Sequence, residues 1–238
     1  MQTACLTMLL MLFVMSAGCA PEPLPEEIDQ VEPAENSPVG KDIVALPGVE
    51  IVEKAVSGAL YERVSRRDFS DKPLKLEQAG MLLWSAGGVG VDGVTGPTRT
   101  IPSAGGTYPL DAYLVAGKVE GLEAGVYRYD YRNHALEQVK TVDIRGDLAE
   151  AALNQGFIAR APAVVVLVAF YERTTARYGE RGMRYVHMDA GYASQSIHLM
   201  AVELGLNTVA IGAFDDDAVA GLLSTEGSPL LIMPVGLP

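Results

Sequence analysis

Hydrophobic and polar positions along the chain alternate with three different rhythms. Leu76, Ala79, Leu82, Leu83 and Ala86 recur at the three- and four-residue spacing of a helix with one buried face. Val56 to Glu62 reads as a shorter helix before it, and Asp147 to Asn154 and Ala218 to Leu223 as later ones. The longest helical pattern opens at Arg177-Tyr178 and runs to about Leu204, with Gly205 as its stop. Ala163 to Ala169 is apolar without a break, the mark of a central strand covered on both faces. Further strands are predicted at Asp111 to Gly117, Thr208 to Ile211 and Leu230 to Val235, with a hairpin made by Gly125 to Asp130 and Ala135 to Val139 around Arg132-Asn133-His134. Gly87 to Gly96 reads as a glycine-rich loop.

The amino-terminal 45 residues follow other rules. Residues 1–18 carry no ionised side chain, and Leu6 to Met15 is apolar apart from Thr7. That run is short for a membrane span and suits a signal-peptide core. It ends in Ser16-Ala17-Gly18-Cys19, which resembles the lipobox of bacterial lipoproteins and makes Cys19 the expected lipidated amino terminus. An ordinary signal peptide cut nearby is the alternative. Residues 19–45 are acidic and rich in proline, and such a segment cannot bury a core. They are read as a tether, leaving 46–238 as the folded domain. With Cys5 in the leader and Cys19 lipidated, the mature chain has no thiol for catalysis or an internal disulfide.

Composition narrows the function. A net charge of −12 over 238 residues argues against nucleic-acid binding, which needs a basic face. His187 and His198 are eleven helical positions apart, about 16 Å along an axis at ~1.5 Å per residue, and cannot share a metal ion. No metal site is predicted.

The candidate chemistry begins at Arg63-Val64-Ser65-Arg66-Arg67-Asp68-Phe69. In an extended chain Arg63, Ser65 and Arg67 share one face, and two guanidinium forks beside a hydroxyl form a receptor for a phosphate monoester. Further on, Pro102-Ser103-Ala104-Gly105-Gly106 offers small residues for close approach to a flat ligand, with backbone N–H groups and the Ser103 hydroxyl as donors.

Together with Leu82-Leu83-Trp84-Ser85-Ala86, Tyr178-Gly179-x-Arg181-Gly182-x-Arg184-Tyr185, Asp189-Ala190-Gly191 with Gln195, and Ile211-Gly212-Ala213-Phe214, these segments resemble the FMN-dependent nitroreductase superfamily. The branch they are most similar to is that of the SagB/ThcOx-type dehydrogenases, over roughly Gly58 to Pro238. The resemblance implies an α+β fold, a mixed, mostly antiparallel sheet flanked by helices, in a homodimer with FMN at the subunit interface. It implies that Arg63, Ser65 and Arg67 bind the phosphate and ribityl chain. Pro102, Ser103, Ala104 and Gly105 would lie against the isoalloxazine, with Ile211, Gly212 and Ala213 approaching from another side. The Lys-Tyr pair of peptide-oxidising relatives corresponds to Arg177-Tyr178, the expected catalytic pair, although an arginine stays protonated and is a poor base. The expected activity is an FMN-dependent oxidoreduction of a small organic or peptide substrate, by a protein lipid-anchored in the cell envelope. A catalytically inactive envelope scaffold of the same fold is the alternative.

Overall fold

A computed structural model describes residues 43–48, 56–93 and 96–238. The leader, Cys19 and nearly all of the acidic tether lie outside the described residues. The elements in chain order are β1 (Ile43–Ala45), α1 (Val56–Glu62), α2 (Leu76–Ser85), β2 (Val89–Gly93), β3 (Gly96–Arg99), β4 (Leu110–Ala116), β5 (Gly125–Asp130) and β6 (Ala135–Lys140). They continue with α3 (Arg145–Ala151), α4 (Phe157–Arg160), β7 (Ala163–Ala169), α5 (Glu172–Tyr178), α6 (Arg181–Glu203), β8 (Asn207–Thr208), α7 (Asp216–Leu223) and β9 (Ser228–Gly236).

Seven strands form one sheet in the order β1-β6-β5-β4-β7-β9-β8, with every ladder antiparallel. The unbroken apolar run of β7 lies near its middle, and strand geometry divides its side chains between the two faces. Ala163, Val165, Leu167 and Ala169 pack with α2 and with Val186, Ala190, Ala193, Ile197 and Ala201 of α6. Val164, Val166 and Val168 pack with Leu148 of α3, Ile158 of α4, and Val219 and Leu223 of α7. The result is the α+β architecture expected from the pattern: helix, sheet, helix, with a separate core on each side of the sheet.

The glycine-rich stretch read as a loop forms a second, two-stranded sheet of β2 and β3. Short-range glycine content masked the pairing, which Trp84 supports by donating its indole N–H to the Val89 carbonyl at 2.8 Å. The start of the described chain is pinned to the β5–β6 turn. Leu46 N–H donates to the His134 carbonyl, and Nε2 of His134 lies 3.0 Å from the Pro47 carbonyl. A carbonyl only accepts, so Nε2 carries the proton, and Nδ1 accepts the Tyr129 O–H at 2.8 Å. Burial holds the His134 pKa below the ordinary histidine value, in keeping with this neutral tautomer.

Candidate active site

After α1 the chain from Arg63 to Ser70 runs without strand pairing. It is tied down at two backbone points: Arg66 N–H donates to the Thr208 carbonyl and Ser70 N–H to the Leu237 carbonyl, both at 2.9 Å. Asp68 accepts from the buried Asn207 amide through its backbone carbonyl at 2.8 Å. The Arg67 guanidinium lies 5.8 Å from the Phe157 ring centre. Arg63 is half-buried and close enough to His198 for its charge to add to burial in lowering that histidine's pKa. Among the described residues no hydrogen bond or ion pair occupies the Arg63 or Arg67 guanidinium or the Ser65 hydroxyl. These groups therefore keep their full donor capacity for a ligand.

The second group of predicted residues surrounds a 3-10 turn, Ala104–Gly106. Gly105 sits at φ 60°, and a methyl there would collide with the Tyr178 hydroxyl and stand 3.0 Å from Nη1 of Arg177. Only glycine meets both demands. Nη1 of Arg177 donates to the Gly105 carbonyl at 3.1 Å. Arg177 and Tyr178 are thus brought against the Pro102–Gly105 loop, but they do not open the longest helix. They end α5; Gly179 then turns the chain at φ 58° and ψ −149°, where other residues are strained, and α6 starts at Arg181. The helical reading began at Arg177-Tyr178 because α5 ends there, only Gly179 and Glu180 before α6 begins. The Tyr178 ring meets Tyr185 edge-on, with centroids 5.1 Å apart.

The Ser103 hydroxyl is not the outward donor expected of it. It donates to Oδ2 of Asp189 at 2.6 Å and accepts the Tyr108 N–H at 2.9 Å. The single hydroxyl proton is therefore committed inside the protein, and Ser103 is not an outward donor. The third predicted segment follows Thr208, whose carbonyl accepts the Arg66 N–H. Ile211 is buried and pairs with Ile232, while Gly212 and Ala213 are exposed. The Ala213 carbonyl accepts from the Gln155 amide at 3.3 Å. Ile211 also belongs to the apolar cluster that includes Phe157, below the Arg67 guanidinium.

The predicted residues thus fall into two groups along α6. Asp189 anchors Pro102–Gly105 with Arg177 and Tyr178; His198, nine residues on, marks the end facing Arg63. Nine helical residues span about 13–14 Å at ~1.5 Å each.

Two residues of this arrangement, quoted from the sequence only as marks of the resemblance, were given no role in the site. Asp189 is 2% exposed on the apolar seam of α6, next to Ala190 and one turn before Ala193. An aliphatic side chain buried there would contribute ~1.5–3 kcal/mol, whereas an ionised carboxylate costs several kcal/mol to desolvate. Burial raises the Asp189 pKa, against the Ser103 hydrogen bond and the nearby Ala104 N–H, which lower it. A charged residue where the helical period demands an apolar one was the available signal. Arg99 is the other. Its guanidinium is stacked between Tyr131, at 3.9 Å, and Tyr108, at 4.8 Å, and its Nε donates to the Gly87 carbonyl. It thereby fixes the far side of the same loop. Among the described residues no cluster of three or more His, Cys, Asp or Glu side chains could hold a metal ion.

Known proteins share this arrangement of elements. The chain is 42% identical to the nitroreductase MJ1384 of Methanocaldococcus jannaschii over 193 residues, covering 81% of this chain and 95% of that protein. It is 26% identical to the microcin B17-processing protein McbC of Escherichia coli over 58% of this chain, and spans 54% of that relative's length. The crystal structure of a nitroreductase from Ralstonia eutropha superposes with a TM-score of 0.71 at 28% identity, covering 84% of this chain and 91% of that one. The Nitroreductase family profile matches residues 60–237. On this match and the 42% identity across almost the whole of one relative, the chain belongs to the nitroreductase family.

Proposed function

We propose that this nitroreductase-family oxidoreductase is FMN-dependent and acts on a small organic or peptide substrate outside the cytoplasm. The observation that carries this reading is the uncommitted set of Arg63, Ser65 and Arg67 on a backbone tied to the sheet edge. A phosphate monoester is the ligand that two forked cations and a hydroxyl suit best. Gly105, set against Tyr178 and Arg177, keeps this turn free of a side chain, which suits close backbone approach to the edge of a flat ring. Arg63, Ser65 and Arg67 would hold the FMN phosphate and ribityl chain. Pro102, Ser103, Ala104 and Gly105 would border the ring on one side, and Ile211, Gly212 and Ala213 on another. Bound FMN supplies the ring that accepts or gives up a hydride. Tyr178 holds or moves the substrate proton at its hydroxyl oxygen. Arg177 keeps the Gly105 carbonyl in place and, being always protonated, does not serve as base. The relative named for microcin B17 processing supports the peptide half of the substrate assignment.

We also assign a homodimer. Val56, Leu60 and Tyr61 of α1 and Met188 and Tyr192 of α6 are exposed, with Tyr61 at 91%. Large apolar side chains gathered on neighbouring helices favour a second copy as cover. Titrating flavin-free protein with FMN tests the functional reading; binding should saturate at about one FMN per chain. An absence of saturable binding would remove it and leave the scaffold alternative.

Location rests on the leader and Cys19, which we take as the lipid-bearing amino terminus of the mature protein. Cys19→Ala should move the protein from the membrane fraction to the soluble one. Unchanged fractionation of the variant would end the anchor assignment.

A further inference from the structure

A hydroxyl has one proton to give and two lone pairs to receive with. In Ser103 the proton goes to Asp189 and one lone pair takes the Tyr108 N–H, so the side chain retains acceptor capacity only. The backbone of the same turn can be accounted for donor by donor. Gly106 N–H donates to the Ser103 carbonyl and Thr107 N–H to the Ala104 carbonyl. Ala104 N–H lies close enough to the Asp189 carboxylate to favour its charged form. The N–H groups of Ser103 and Gly105 have no partner among the described residues. The 2.6 Å separation of Ser103 Oγ from Oδ2 is short, as expected where the acceptor is charged.

We propose that Asp189 is the positioning residue of the Pro102–Gly105 loop, drawing the Ser103 hydroxyl and the Ala104 N–H inward so that the loop meets the flavin through backbone N–H groups. Asp189 itself touches neither cofactor nor substrate; it acts through Ser103 and Ala104. The flavin half of this inference rests on the FMN reading above, whereas the hold of Asp189 on the loop does not. The arrangement explains why a carboxylate occupies an apolar seam. The Ser103 hydroxyl donates to one of its oxygens, and the Ala104 N–H lies close by, where a second acceptor oxygen suits it. An asparagine has one acceptor oxygen, so its NH2 would face a donor or force the Ser103 proton outward.

Two measurements decide the matter. The first is amide hydrogen exchange on the flavin-free protein. Asp189→Ala should speed exchange at Ala104 and Tyr108 about tenfold or more, because the carboxylate holds the Tyr108 N–H through Ser103 and its charge sits beside the Ala104 N–H. Should Asp189→Ala fail to fold, Asp189→Asn keeps the side-chain shape and is read in the same way. Unchanged exchange at both amides in a folded variant overturns the proposal, whatever the protein does with flavin. The second is FMN affinity across Asp189→Asn, Ser103→Ala and the double variant. Asp189→Asn should weaken FMN about tenfold, and adding Ser103→Ala should change that by less than about threefold, since the two residues work as one unit. Losses that simply multiply would show Ser103 and Asp189 acting independently and would overturn the proposal. Failure of the unaltered protein to bind FMN would instead defeat the functional reading, with the exchange result still deciding the role of Asp189.

Discussion

Arg67→Ala is expected to give a folded protein whose FMN affinity has fallen by about one to two decades. The side chain is exposed and, among the described residues, carries no hydrogen bond or ion pair. Its only ring contact is the 5.8 Å approach to Phe157, worth ~0.5–1 kcal/mol at an exposed site. Removing it should therefore cost the fold little. Against a phosphate, the same guanidinium makes charge-assisted bonds worth ~1.5–3 kcal/mol, which is the predicted loss in binding. Excess FMN should restore most of the activity. Arg66→Ala is the internal control, because Arg66 is anchored by its backbone N–H to Thr208 and its exposed side chain is not one of the three assigned to the phosphate. Melting temperature and calorimetric FMN binding on the two variants separate a ligand contact from a general loss of positive charge. Equal effects from both would mean that bulk charge, not the receptor, sets the affinity.

Tyr178→Phe should behave in the opposite way. The Tyr178 hydroxyl makes no hydrogen bond among the described residues, and its ring contacts, edge-on to Tyr185 at 5.1 Å and beside the Arg177 guanidinium at 5.5 Å, survive in phenylalanine. Stability and FMN affinity should thus be unchanged. Turnover should fall about a hundredfold, the low end for a group that transfers a proton in the rate-limiting step. If Tyr178 only packs the end of α5, turnover would instead be retained. Loss of FMN from Tyr178→Phe with retention in Arg67→Ala would invert the assignment of the two groups.

Periodicity made most of the architecture legible. The uninterrupted β7 run, the three-four spacing of α2 and the long apolar face of α6 each describe burial, and burial is what decides these elements. The boundary between α5 and α6 was not legible, because α5 is a polar helix with only Thr174 buried and Gly179 breaks the helix by its backbone angle, which residue types do not display. The β2–β3 ribbon was hidden for the converse reason: its residues carry little side-chain pattern, and its register depends on pairing and on the Trp84 bond. Within the candidate site, the residue types at 63, 65 and 67 announced themselves by charge and alternation. Ser103 was visible as a polar group, but the direction of its proton was not. That direction is set by Asp189, 86 residues away in sequence, and follows only once α6 is packed beneath the loop.

Arg63, Ser65 and Arg67 are assigned to the phosphate of a flavin mononucleotide. Parallel titrations of flavin-free protein with FMN and with riboflavin, which has the same ring and side chain without the phosphate, test that assignment most directly. FMN should saturate at about one per chain and bind at least a hundredfold more tightly than riboflavin, since more than one charge-assisted contact depends on the phosphate. Equal affinity for the two flavins, or no saturable binding of either, would contradict the account.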